Sequence, residues 1–141
     1  MCASITNELA QAYRDTHYLV KAEPTPFTLR IDQPSASLGA LYDRLDVRSA
    51  AFLTAFNPYS APTSAARNAT AQVELACSLR SAGVPWIAGI GIDPNGQWPG
   101  EPSLLALGPT LALSRRLAAE YRQNAFVWCA EDAVPRLILM R

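Results

Sequence analysis

Ser49-Ala50-Ala51-Phe52-Leu53-Thr54-Ala55-Phe56 is short, apolar and aromatic, and it stops at Asn57-Pro58. A run without a polar face fits a strand buried on both sides. Residues 57–64 then read as a loop, and a helix follows from about Ser64 to Ala82. Ser64 or Thr63 can cap it, and Gly83 stands where a C′ glycine belongs. Leu75 and Leu79 share one face of this helix; Ala69, Val73 and Ala76 share another. Pro85 opens a strand through Trp86, Ile87, Ile90 and Ile92. Asp93-Pro94-Asn95-Gly96 turns the chain, and Ser103 to Leu107 returns as a strand, antiparallel if the two make a hairpin. Gly108-Pro109-Thr110 starts a helix with Leu113, Leu117 and Tyr121 on one face and Arg115, Arg116 and Glu120 towards water. Ala125 to Cys129 is the next strand. Residues 49–129 thus read β-α-β-β-α-β, which is compatible with a split βαβ, ferredoxin-like core.

Outward from that segment the pattern continues. Ile5, Leu9, Tyr13 and Thr16 line one face of an N-terminal helix. Phe27 to Ile31 is a strand, and Ser35 caps a helix carrying Leu38, Leu41, Tyr42 and Leu45 to about Asp46. Glu131-Asp132 is a turn before a last strand, Arg136 to Met140. The order is α-β-α-β-α-β-β-α-β-β. Two β-β steps lack an intervening helix, so the fold class is α+β: a mixed, mostly antiparallel sheet with helices packed on it.

The chain has 141 residues, half of them hydrophobic and 17% charged. A single globular domain over 1–141 is expected, burying about two-thirds of its unfolded surface. Twelve basic and 12 acidic side chains sum to zero, which argues against a general nucleic-acid binder. Only a local gathering of Arg14, Arg67, Arg115, Arg116 and Arg122 would restore that reading. Cys2, Cys77 and Cys129 form no CxxC and have no paired His, so neither a disulfide framework nor a zinc site is expected. Cys77 and Cys129 read as small buried apolar groups of a reduced, cytoplasmic chain. The start, Met1 to Glu8, lacks the basic and apolar regions of a signal peptide. No apolar run approaches the roughly 20 residues that span a bilayer.

No cofactor or metal is implied. Gly89-Ile90-Gly91 lacks the third glycine and following helix of a dinucleotide fingerprint, and no GK[ST] occurs. That pair reads as a place where a strand bends or is closely approached. His17 is the sole histidine, so any triad or dyad would have to use it. Beside Tyr13, Asp15 and Tyr18 at the end of the first helix, it reads as a surface or packing residue.

Three polar stretches remain. Glu101 stands in Gln97-Trp98-Pro99-Gly100-Glu101-Pro102-Ser103, a rigid, partly apolar loop that can raise a carboxyl pKa and make an acid or base. Its plainer role is a loop-fixing pair with an Arg. Asn57 ends the buried strand, with Tyr59, Ser60, Arg67 and Asn68 following. Asn68 projects on the Gln72, Leu75, Leu79 face and must find a polar partner. Capping and turn bonds alone would also explain this cluster. Gln123 and Asn124 stand at a helix-to-strand junction, where they satisfy the helix end or reach a shared cleft.

Taken together, Tyr13-Arg14-Asp15-Thr16-His17-Tyr18, Phe52-Leu53-Thr54-Ala55-Phe56-Asn57-Pro58-Tyr59-Ser60, Asn68, Trp98 to Ser103 and Gln123 to Trp128 resemble the bacterial family catalogued as domain of unknown function 3293. The resemblance runs from about Tyr13 to Met140; position 56 is Phe where Trp is expected at least as often, which keeps an aromatic. It implies a small, single-domain, cytoplasmic bacterial protein, and it transfers no activity, cofactor or catalytic assignment.

Two readings of function follow. In the first, a small polar ligand sits in a cleft formed by the loops after residue 56, around 95–103 and at 122–125. Tyr13, Asn57, Ser60, Arg67, Asn68, Trp98, Gln123 and Asn124 would bind it, with Glu101 as the catalytic acid or base if it reacts and Arg67 as an anion clamp. In the second, the chain is a protein-interaction module or homodimer without catalytic activity, pairing through a C-terminal edge strand. Whether the protein is an enzyme is not legible, since no activated nucleophile stands out.

Overall fold

A computed structural model describes residues 5–140. Met1 to Ser4 and Arg141 lie outside the described residues, and with them the readings of the chain start and of Cys2. The elements are α1 (Asn7–Asp15), β1 (His17–Val20), β2 (Phe27–Leu29), α2 (Ala36–Leu45), β3 (Ala50–Leu53), a 3-10 turn (Pro58–Ser60), α3 (Ala65–Ser81), β4 (Trp86–Ile92), β5 (Glu101–Leu107), α4 (Leu111–Glu120), β6 (Ala125–Cys129) and β7 (Pro135–Leu139). Thr6, Ser35, Ser64 and Thr110 cap the four helices, each side-chain oxygen accepting from a backbone N–H three residues on. Gly83 follows α3 with φ 72°, the left-handed C′ position.

One strand goes beyond the expected order. His17 begins β1 rather than ending a helix, because Thr16 closes α1 as its C-cap. Four residues between a helix and a turn are too few to display a period of two in sequence. The seven strands run β2-β1-β4-β5-β3-β6-β7, and every pairing is antiparallel. The α+β class stands, with no parallel pair among the described residues. β5 lies between β3 and β4, which α3 joins, and β3 lies between β5 and β6, which α4 joins. This is the split arrangement of a ferredoxin-like core, widened by β1 and β2 on one side and β7 on the other.

β3 divides the interior. Ala50 and Phe52 face a core built with Leu38, Leu41 and Tyr42 of α2 and Val20, Leu29, Leu105, Leu107 and Val127 of the sheet. Ala51 and Leu53 face a second core with Leu75 and Leu79 of α3 and Leu117 and Ala118 of α4. Helices therefore cover both faces, and β3 is buried throughout. Cys129 is buried as expected, whereas Cys77 is exposed. Leu75 and Leu79 turn inward, and Cys77, midway between them, falls about 200° round the helix on the solvent side.

The sheet curls. Seven flat strands would put β2 and β7 about 29 Å apart. Yet the Asp32 N–H, three residues beyond β2, donates to Pro135 O at the start of β7 over 2.7 Å. Curling gives the α2 side an enclosed inner face. α2 fills one part of it, and α1 lies beside β7 over the rest. β7, which in sequence fits an inner strand or an edge, is an edge.

Gly89 is required where Phe52 crosses the inner face: a Cβ there would lie 2.7 Å from Leu19 O and 2.8 Å from the Phe52 ring. Gly39, in the middle of α2, would gain a methyl group with nothing within 4 Å of it. Two alanine changes should therefore diverge in urea unfolding. Gly89→Ala should lose about 1–3 kcal/mol through overpacking, and Gly39→Ala should gain about 0.5–1 kcal/mol from helix propensity.

Candidate functional site

A cavity of about 580 Å³ opens on the inner face where α2 does not reach. Register explains its floor. Tyr18 of β1, Gly91 of β4 and Glu101 of β5 stand side by side as cross-strand partners, so all three point the same way. Gly91 carries no side chain, which leaves a gap of two strand spacings, about 10 Å, between Tyr18 and Glu101. Phe52 packs edge-on against Tyr18, with ring centroids 5.2 Å apart. α1 forms the cover through Leu9, Ala12, Tyr13 and Thr16. The apolar stripe that marks this helix in sequence thus lines a cavity rather than a packed core.

Residues 57–60 form the rim, and their backbone is strained. Asn57, Tyr59 and Ser60 all have positive φ, at 47°, 54° and 61°. Non-glycine residues rarely adopt this region, and surrounding bonds must hold them there. Asn68, buried on α3 as its helical face requires, does most of this. Its Oδ1 accepts from the Asn57 N–H and its Nδ2 donates to Asn57 Oδ1, both at 2.9 Å. The Thr63 N–H donates to the same Asn57 Oδ1 at 3.1 Å. Tyr59 N–H donates to Arg122 O at 2.6 Å. Ser60 Oγ accepts from Asn124 Nδ2 at 3.1 Å and shares a hydrogen bond with the Tyr13 hydroxyl at 2.6 Å. Gln123 Nε2 donates both to Phe56 O and to Tyr121 O, so it ties the rim to the end of α4.

Glu101 is the first residue of β5 and not a loop residue, because its backbone pairs with Gly91. Burial pushes its carboxyl up to about 7, partly offset by a long 3.5 Å hydrogen bond from Asn57 Nδ2. Burial likewise pushes the Tyr18 phenol well above its ordinary value, and that hydroxyl donates to Tyr13 O. Among the described residues no Arg pairs with Glu101, the partner expected on the plainer reading. The ion pairs among the described residues are Arg48–Glu131 and Arg136–Asp132, both at the surface.

Of the residues singled out in sequence, Tyr13, Asn57, Ser60, Asn68, Trp98, Glu101 and Gln123 line this cavity. Arg67 does not. It sits on the exposed side of α3 with Ala66, Thr70 and Glu74. Asn68 points inward, and the preceding residue is turned 100° round the helix, so no anion clamp forms here. Asn124 stands behind Ser60 rather than in the lining. Tyr59 is 46% exposed and outside the lining. His17 falls on the opposite strand face from Tyr18 and does not reach the cavity. Tyr18 and Phe52 are cavity walls that residue type does not single out; only the cross-strand register identifies them. Gln72 is a further brace without a sequence signal of its own: its Oε1 accepts from the Ala55 N–H and its Nε2 donates to Pro102 O.

Among the described residues no three His, Cys, Asp or Glu side chains gather as a metal site, and no helix is long and apolar enough to cross a membrane. Residues 53–126, just over half of the chain, match the model of a family described as Protein of unknown function (DUF3293). The chain belongs to this family. No curated protein and no solved structure matches it. In this DUF3293 protein the matched span begins at Leu53 of β3 and ends at Phe126 of β6. It holds Asn57, Asn68, Glu101 and Gln123, while Tyr13 of the cover and Tyr18 of the floor lie before it.

Asn68→Ala should cost about 1–3 kcal/mol in denaturant unfolding, since it leaves the half-buried Asn57 N–H without its partner. Glu101 makes stability pH-dependent in a definite sense. Its proton is held more tightly in the folded protein than at the ordinary 4.5, so stability is greatest below that value and falls as pH rises to about 7. The fall is on the order of 3 kcal/mol. Melting curves of Glu101→Gln, compared with the unaltered protein across that window, should show the fall removed.

Proposed function

We propose that this protein binds a small molecule in the cavity between α1, the 57–60 rim and the inner face of the sheet. The observation that carries this is one cavity in which aromatic walls and a desolvated carboxyl, Glu101, meet. Binding sites for small molecules span about 300–1,000 Å³ and are mostly apolar with a few placed polar groups. The volume and lining here match that description. Strain at Asn57, Tyr59 and Ser60 supports the same reading, because such strain clusters at ligand clamps.

In this proposal Glu101 and the Asn57 amide hold the polar end of the ligand, and Tyr13, Tyr18, Phe52 and Trp98 surround its body. Ser60, Asn68, Gln123 and Asn124 hold the rim in place. The ligand is therefore polar at one end and apolar elsewhere, rather than polar throughout. Near neutral pH the Glu101 carboxyl exchanges its proton readily, so it is also the acid or base that any chemistry on the ligand would use. Among the described residues the lining offers no Cys, Lys or His as a nucleophile.

A thermal-shift screen with small amines, acids, sugars and nucleotides tests the proposal, since a ligand of the native state must raise the melting temperature. Gly91→Leu should abolish the shift by filling the gap between Tyr18 and Glu101. Gly91→Ala should retain most of it, because its methyl meets nothing nearer than 3.7 Å. A hit that survives Gly91→Leu unchanged binds elsewhere and defeats the proposal.

A further inference from the structure

Resting on that reading of the cavity as a binding site, we infer that its ligand is an organic cation, an ammonium group on an aromatic or alkyl body. The charge pattern of the lining carries this. Glu101 is the one carboxylate in the lining, and no Lys, Arg or His side chain joins it among the described residues. Among the described residues no cation pairs with Glu101 elsewhere either; its side-chain bond there is the long one from Asn57 Nδ2. A desolvated carboxylate without a counter-charge is costly, and a cationic ligand supplies what the protein withholds.

The walls fit the same class. Tyr13, Tyr18, Phe52, Phe56 and Trp98 contribute aromatic rings to the space around Glu101. Ring faces attract ammonium groups, and an aromatic cage with one acid is a known way to hold an alkylated amine. An anionic ligand meets no positive group among the described lining residues and would be repelled by Glu101. A divalent metal ion needs about six oxygen ligands, which one carboxylate among aromatic rings does not offer.

Binding must then depend on pH through Glu101. The titratable groups facing it from the surrounding elements are the phenols of Tyr18 on β1 and Tyr13 on α1; β4 presents Gly91, and the rim presents Asn57. Burial holds the free carboxyl near 7, and a bound ammonium would draw it down to the ionised form. Cation binding therefore releases a proton below pH 7 and weakens about tenfold for each pH unit further down.

Isothermal titration with a charge series tests this: 2-phenylethyl-trimethylammonium, 2-phenylethylamine, 2-phenylethanol and 3-phenylpropionate. The two cations should bind at pH 8 at least tenfold more tightly than the alcohol or the acid. The quaternary ion has no proton of its own, so its affinity should fall about 100-fold from pH 8 to pH 5. Glu101→Gln should lose at least tenfold at pH 8 and show no such fall. If the alcohol or the acid binds as tightly as the cations, the charge assignment is overturned and the binding cavity stands. If cations bind without pH dependence or without loss in Glu101→Gln, Glu101 is not their partner and the inference falls. If none of the four binds at millimolar concentration, the inference also falls, and the broader screen then decides separately whether the cavity binds anything.

Discussion

All four residues of β3, Ala50 to Leu53, are withdrawn from water. A strand in that position has two demands: its backbone groups need partners on both edges, and both of its faces need cover. β5 and β6 meet the first demand. The second is met unequally. α3 and α4 pack over Ala51 and Leu53 and close that side with aliphatic side chains. On the other side α2 alone packs over Ala50 and Phe52, and one helix does not cover a seven-stranded sheet.

The curl of the sheet follows from that shortage. Bringing β2 and β7 towards one another wraps the inner face round α2, so fewer apolar side chains remain exposed. Gly89 lets Phe52 lie flat across this face, and Gly91 leaves room above the strand, where a Cβ would meet the Thr16 methyl only at 3.7 Å. α1 spans what α2 leaves open, held through Tyr13 to Ser60 and through the Tyr18 hydroxyl to Tyr13 O. The cavity is thus the part of the inner face that the core does not use. Its apolar character is inherited from the core, and its one acid is what marks it out.

The rim carries the energetic tension of the site. Three left-handed non-glycine residues within four positions cost on the order of 1 kcal/mol or more each. Asn57 adopts this conformation more readily than most residues, since Asn tolerates the left-handed region. Asn68 then locks it from a buried position on α3 with reciprocal side-chain and backbone bonds. The same Asn57 amide reaches Glu101, so the strained rim and the desolvated carboxyl are parts of one network.

Much of the architecture is legible in the residues themselves. Ser35 and Ser64 announce two helix starts, Gly83 a helix end, and Asp93-Pro94-Asn95-Gly96 the β4–β5 turn, because caps and turns are local chemistry. The buried run at 50–53 announces the central strand. The polar position of Asn68 on an apolar helix face announces a buried partner. Other features depend on chain segments far apart. β1 is hidden because four residues carry too little periodicity, and the exposure of Cys77 follows from its helix face rather than from its residue type. Arg67 belongs to the right stretch but points outward, a 100° difference that side-chain type does not encode. Tyr18 and Phe52 become walls only through the register of β1, β4 and β5. Sequence alone determined every element but the short β1 and the turn at 58–60, since propensity, capping and hydrophobic period act within a few residues. Tertiary structure decided where Glu101 sits and what surrounds it, since a cavity is made by the curl of a whole sheet and the reach of its helices.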